Sequence, residues 1–283
     1  MAATPYVTAA EFVAHPTYLD VEALRPGVMD PDAQTAELTN ILLMSSAWAD
    51  SVCNMASLAA HRVDLSTQGR VDGAGNLVVF PSDRPVIAVD AVSYGSTFSR
   101  MAYVPQPKAR VDKNQTIYVP VGGAPVRGRV WVDITYTAGW VSTLLAGDAF
   151  DGVTSLTVLD ATGIMPGASY RLWEPGVEET VTVAPTWTPP DLSAPTGPVA
   201  VPLTAPTVHA HNEGAGWSGM PADMRLAVVN YTISQLMRPD TAAEDSYPDA
   251  ALPAGTRQQD SRRDGSGLVR EAERILGSYA RRM

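Results

Sequence analysis

The side chains of this 283-residue chain whose types could carry chemistry are four histidines, one cysteine and a short run of glutamates. His209 and His211 lie two apart and share one face of a strand, which is the start of a metal site. No cysteine and no third histidine accompanies them, so partly exposed strand residues are the expectation. Glu174, Glu178 and Glu179 have the types of a general acid–base pair. Carboxylates clustered on a solvated strand edge are the simpler reading. Asp72 to Asn76 carries part of a calcium loop but lacks its repeated acids and distant glutamate; a hairpin turn explains it. Cys53 falls inside a helical stretch with no base marked for it, and reads as a small buried side chain. Gly-x-Ser-x-Gly, His-Glu-x-x-His and phosphate-loop signatures do not occur. The expectation is a protein that is not an enzyme, with no catalytic residues, no metal and no cofactor.

The elements that position these residues can be read from period and punctuation. Thr8 followed by Glu11 has capping-box spacing and starts a short helix near Ala9. Asp30 and Pro31 open a longer amphipathic helix, on which Leu38, Ile41, Leu42, Ser45, Trp48, Val52 and Met55 recur at helical spacing. From His61 the period becomes two. Residues 61–140 read as a small, mostly antiparallel sheet with a turn at Asp72 to Asn76. Its last strand places Val130, Val132, Ile134 and Tyr136 on one face and Asp133, Thr135 and Thr137 on the other. About seventy residues rich in Thr, Val, Pro and Gly follow, and 146–216 read as a small barrel or sandwich inserted in a host domain. An Ala-Gly-Trp triplet stands at each flank (138–140 and 215–217). A helix bounded by prolines then spans 221–237; Leu226, Val229 and Ile233 are among its apolar residues, which cover most of the cylinder. Residues 239–266 read as an extended arm, and Leu268, Ala272, Ile275 and Tyr279 form a final helical stripe.

Charge narrows the function classes. The net charge is −10, with eighteen arginines but only two lysines. Residues 1–60 hold seven acids against Arg25 alone, and 146–219 hold eight against Arg171 alone. Residues 257–283 reverse the sign, with seven arginines against four acids. A chain this acidic is not expected to grip nucleic acid broadly. One cysteine forms no intrachain disulfide, and the absence of an eighteen-residue apolar run or a basic-then-apolar start suggests a soluble protein made in the cytoplasm.

The order of pieces is specific: a capped helix, "DGAGNLVVFPSDRPVIAVDAVSYG", "VWVDITYTAGW", then "MPADMRLAVVNYTISQL". Over residues 30–140 and 217–240 this resembles the head-to-tail adaptor (connector) proteins of long-tailed bacteriophages. The resemblance implies an α+β fold: a helical-bundle core with antiparallel β embellishment. The domains would be 1–145 with 217–240 as adaptor core, 146–216 as inserted β module, and 241–283 as C-terminal arm and helix. It further implies a homo-oligomeric ring of about twelve copies at the virion neck. The ring would bind the portal protein on one side and the stopper or tail proteins on the other, without membrane contact. Double-stranded DNA would pass through its lumen, without specific binding, during packaging retention and genome ejection. Acidic walls suit such a conduit, because they repel phosphate. Leu38, Ile41, Leu42, Trp48, Val52, Leu226, Val229 and Ile233 would pack the core or the ring. Arg257, Arg262, Arg263, Leu268, Arg270, Arg274, Ile275 and Tyr279 would dock on the portal or a neighbouring copy; the alternative is that their helix packs on its own subunit. Competing assignments are a tail-completion or tail-terminator protein, or a neck decoration that binds glycan or protein through Trp173 and Trp187 of the insert.

Overall fold

The computed structural model describes residues 4–17, 19, 21, 24, 30–105, 107–122, 128–190, 197–244 (side chains only to 237) and 265–280. Helix α1 (Ala9–Ala14) carries the expected capping box: Thr8 Oγ1 accepts from Glu11 N–H, and Glu11 Oε2 accepts from Thr8 N–H at 2.8 Å. Helix α2 (Pro31–Val52) starts at Asp30, whose Oδ1 accepts from Asp32 N–H. Both helices thereby satisfy amide donors that the first turn leaves without partners.

Strands β1 (His61–Val71) and β2 (Asn76–Val79) meet across the Asp72 turn, where one carboxylate oxygen accepts from Ala74 and Asn76 N–H at 2.9 Å each. That turn is a hairpin. Strands β3 (Val86–Thr97), β4 (Arg100–Val104), β5 (Arg110–Val111), β6 (Ile117–Pro120) and β7 (Gly128–Ala138) complete a seven-stranded antiparallel sheet in the order β4-β3-β7-β1-β2-β6-β5. It curls into a half-barrel around Val130, Val132, Ile134 and Tyr136, the face that period two assigns to the core. Thr137, on the face read as polar, is nonetheless buried, because the inserted module covers that end of the sheet.

The chain is mixed α+β, but the sheet is no embellishment on a helical bundle. Three of its strands run eleven or twelve residues, and it has a hydrophobic cluster of its own. The helices form a separate cluster: α1 and α2 with α3 (Ala222–Glu244) and α4 (Ser266–Gly277), around Phe12, Leu42, Met224, Val228 and Leu276. Helix α3 runs on past Pro239, where the sequence suggested it would stop. The proline forfeits one ladder bond without ending the helix.

The insert holds the third cluster. Strands β8 (Ser142–Leu144), β10 (Ser169–Trp173), β11 (Glu179–Thr182) and β13 (Gly216–Ser218) make a sheet in the order β11-β10-β13-β8, and β9 (Ser155–Val158) pairs with β12 (Val199–Pro202). Single bridges Leu145↔Val158 and Val183↔Leu203 join the two pieces at both edges. The module is therefore a small closed barrel, which removes the open edges a sandwich would leave. Its interior holds Leu156, Leu172, Val201 and the fully buried Trp217. The seams lie side by side: Ser142 pairs with Ser218, and Gly219 N–H donates to Val141 O at 2.9 Å. Strand pairing thus carries the module one strand beyond 146–216 at each end.

Candidate functional site: the junction of helices, sheet and barrel

Two polar nodes join these bodies, and a third braces the barrel. The first lies at the end of β7, where Gly139 has φ +103° and an added Cβ would meet Ala59 O at 2.5 Å. Trp140 N–H donates to Leu58 O, and Ala60 N–H donates to Trp140 O. Close by, the Tyr6 hydroxyl bonds Asp50 Oδ1 at 2.5 Å and accepts from Leu58 N–H at 3.0 Å. Burial, then the Asp50 charge, pushes the phenol far up. Burial raises the Asp50 carboxyl as well. At the head of β1, His61 Nε2 meets Asp83 Oδ2 at 2.8 Å and Nδ1 meets Ala59 O at 2.9 Å.

The second node joins α1, α3 and the barrel. Arg225, 5 % exposed, donates to Tyr6 O and Glu11 Oε1, so Glu11 serves the cap of α1 and the guanidinium together. The Arg225 guanidinium lies 4.6 Å from the centre of the Trp173 ring, and that of Arg171 lies 4.5 Å from it. Desolvation lowers the Arg225 pKa, and Glu11 opposes that shift. A buried cation with both a carboxylate and an indole face is satisfied on the spot. Trp173, a candidate glycan platform by sequence, is thus committed to an internal joint. Trp187 packs against the barrel core.

The third node is inside the barrel. His211 is 2 % exposed; its Nδ1 lies 2.9 Å from Glu174 Oε2 and its Nε2 2.8 Å from Glu179 Oε1. Glu179 also accepts from Val208 and His209 N–H, and Glu174 from Asn212. The expectation of exposed histidines and solvated glutamates is corrected here for His211, Glu174 and Glu179. The His211 ring is thus engaged by a carboxylate at each nitrogen. Its role is to staple the β10–β11 hairpin to the connection before β13. Burial alone would raise Glu179, but the two amides and the His211 ring hold it net below its usual value.

The helix residues singled out by sequence divide by face. Leu38, Leu42 and Val229 are buried, while Ile41, Trp48, Val52 and Ile233 are half-buried. Trp48 stacks on Tyr231 at 3.8 Å and 4°, and Thr232 Oγ1 bonds Ser45 Oγ, joining α2 to α3. Leu226 is 40 % exposed, a correction to its place among core residues. On α4, Ala272, Ile275 and Leu276 enter the helical core. Tyr279 donates to Asp223 at 2.8 Å and meets Trp140 edge-on. Ile275 and Tyr279 therefore pack on their own subunit. Leu268 is half-buried, while Arg270 and Arg274 are exposed, the latter paired with Glu271. Arg257, Arg262 and Arg263 lie outside the described residues.

Among the described residues, no three His, Cys, Asp or Glu side chains are grouped to hold a metal, and no helix is long and apolar enough to cross a membrane. Cys53 is buried beside Leu276 O; burial pushes its thiol up to about 11, which keeps it protonated. Arg225 and Tyr6 went unread in the sequence, since their partners lie 214 and 44 residues away. Compared with known protein families, with curated proteins and with solved structures, the chain matches none.

Proposed function

We propose that this chain is a structural component of a bacteriophage neck, a head-to-tail adaptor that closes into a ring between portal and stopper or tail. What supports the reading is that the barrel's two ends are hydrogen-bonded to each other, as expected of a guest inserted in a host. The host would comprise the helices and the larger sheet, each with its own hydrophobic cluster. That host is the ordered set of pieces on which the family resemblance rests. Within it, α1–α4 share one hydrophobic cluster beside the larger sheet. The net charge of −10 supports an acid-walled lumen through which duplex DNA slides without being held.

Sedimentation and negative-stain imaging of the purified chain, with labelling of intact particles, test the proposal. The expected result is a cyclic assembly with head-to-tail contacts, found at the vertex joining capsid and tail. A chain located anywhere else in the particle overturns it. A second reading, neck decoration through the insert, draws on one observation. Phe150 (77 % exposed) and Val208 (71 %) stand on two loops at one end of the barrel, tied by Thr207 Oγ1 to Phe150 O. Excision of the barrel with full retention of ring assembly would favour a separate, outward task for it.

A further inference from the structure

We propose that a cleft beside Arg84 is a binding site for a carboxylate carried on an apolar or aromatic body. The cleft, about 390 Å³, lies where the loop before β3 faces the end of α4. Arg84, Ser82, Gln115, Met55, Trp140 and Tyr279 are among its walls. Arg84 is half-buried and its Nε is shut off from solvent, yet among the described residues it makes neither an ion pair nor a hydrogen bond. In a protein with an excess of ten negative charges, this cation has no counter-ion among the described residues. Buried or half-buried guanidinium groups are normally matched, because desolvating an unpaired charge is costly.

Two described acids near the cleft are engaged elsewhere. Asp83 meets the His61 ring at 2.8 Å, and Asp223 accepts the Tyr279 hydroxyl at 2.8 Å. What remains is a set of donors. The Arg84 fork matches a planar carboxylate in two-point geometry. Gln115 Oε1 is held by Val86 N–H, which leaves its amide NH2 as the group to donate. The opposite wall is apolar and aromatic, with Trp140 meeting Tyr279 edge-on at 5.7 Å. One cation against an aromatic wall suits a single negative charge with a flat body better than a phosphate dianion. The volume falls at the small end of ligand pockets, room for one aromatic acid or one terminal residue of a peptide. The inference does not depend on ring assembly.

The test is titration of the full-length protein, observed at the Arg84 Nε–H resonance, with benzoate, with N-acetyl-glycyl-phenylalanine, with its C-terminal amide and with inorganic phosphate. Saturable shifts are expected with benzoate and the free-acid peptide, and none with the amide. Arg84→Gln should weaken both at least tenfold, read by the Trp140 indole resonance. Arg84→Lys, which keeps the charge and the fold but loses the fork, should also weaken them. A peptide at least tenfold tighter than benzoate identifies a chain terminus as the occupant; equal affinity identifies a free acid. Unsaturable response, benzoate binding unchanged in both variants, or phosphate shifting Arg84 as strongly as benzoate overturns the proposal.

Discussion

At the scale of single residues, the fold depends on a few charged groups removed from water and matched in place. His211 between Glu174 and Glu179 is the clearest case. Removing the ring leaves two largely buried carboxylates without their shared partner, so His211→Ala should destabilise the chain by about 3 kcal/mol in denaturant unfolding. Acid should act through the same contact. A carboxyl held below its unfolded value stabilises fully above that value, about 4.3 for glutamate, and loses the contribution as pH falls through the folded value. Glu179 is such a group. Between pH 6 and pH 3 the wild type should therefore lose more stability than Glu179→Gln, measured by urea midpoints at each pH. An equal loss in both would remove Glu179 from the account.

At the scale of elements, α4 decides how portal docking can be tested. Ile275 and Leu276 are part of the helical core, so truncation of 257–283 would unfold contacts as well as remove arginines. Ile275→Ala should cost about 2–4 kcal/mol, the usual range for truncating a buried aliphatic side chain. Arg270→Ala with Arg274→Ala should change stability by no more than about 0.5 kcal/mol, since both side chains are exposed. That pair of exposed arginines is the clean probe: the double variant should fold normally and lose attachment to purified portal. Attachment at wild-type strength would end the case for this helix face. The sequence stripe Leu268, Ala272, Ile275, Tyr279 did identify the helix. It could not tell which body the stripe packs on, because own core and foreign groove demand the same spacing.

At the scale of the whole molecule, three hydrophobic clusters meet at polar joints. The barrel is the most self-sufficient: its strands close on themselves and its ends are adjacent. A fragment of residues 141–219 is expected to fold alone, seen as a dispersed amide spectrum; a collapsed spectrum would show that it needs its host. Removal of the barrel should leave the host folded but weakened. Gly163 packs tightly on the sheet, where an added Cβ would meet Ala60 Cβ at 2.6 Å, and Trp173 covers Arg225.

Local structure was determined by the sequence itself. The Thr8–Glu11 box, the Asp30 start of α2, the Asp72 hairpin and the alternation of β7 each depend on neighbours within a few residues, where spacing fixes geometry. Tertiary structure decided the rest. It set the size of the sheet relative to the helices, the closure of the barrel, the burial of His211 and the partner of α4. It also brought Glu11 to Arg225, and Trp140 and Tyr279 to the Arg84 cleft. These contacts join segments tens to hundreds of residues apart. A one-dimensional pattern records that a side chain is apolar or charged, but packing alone selects which distant surface it meets.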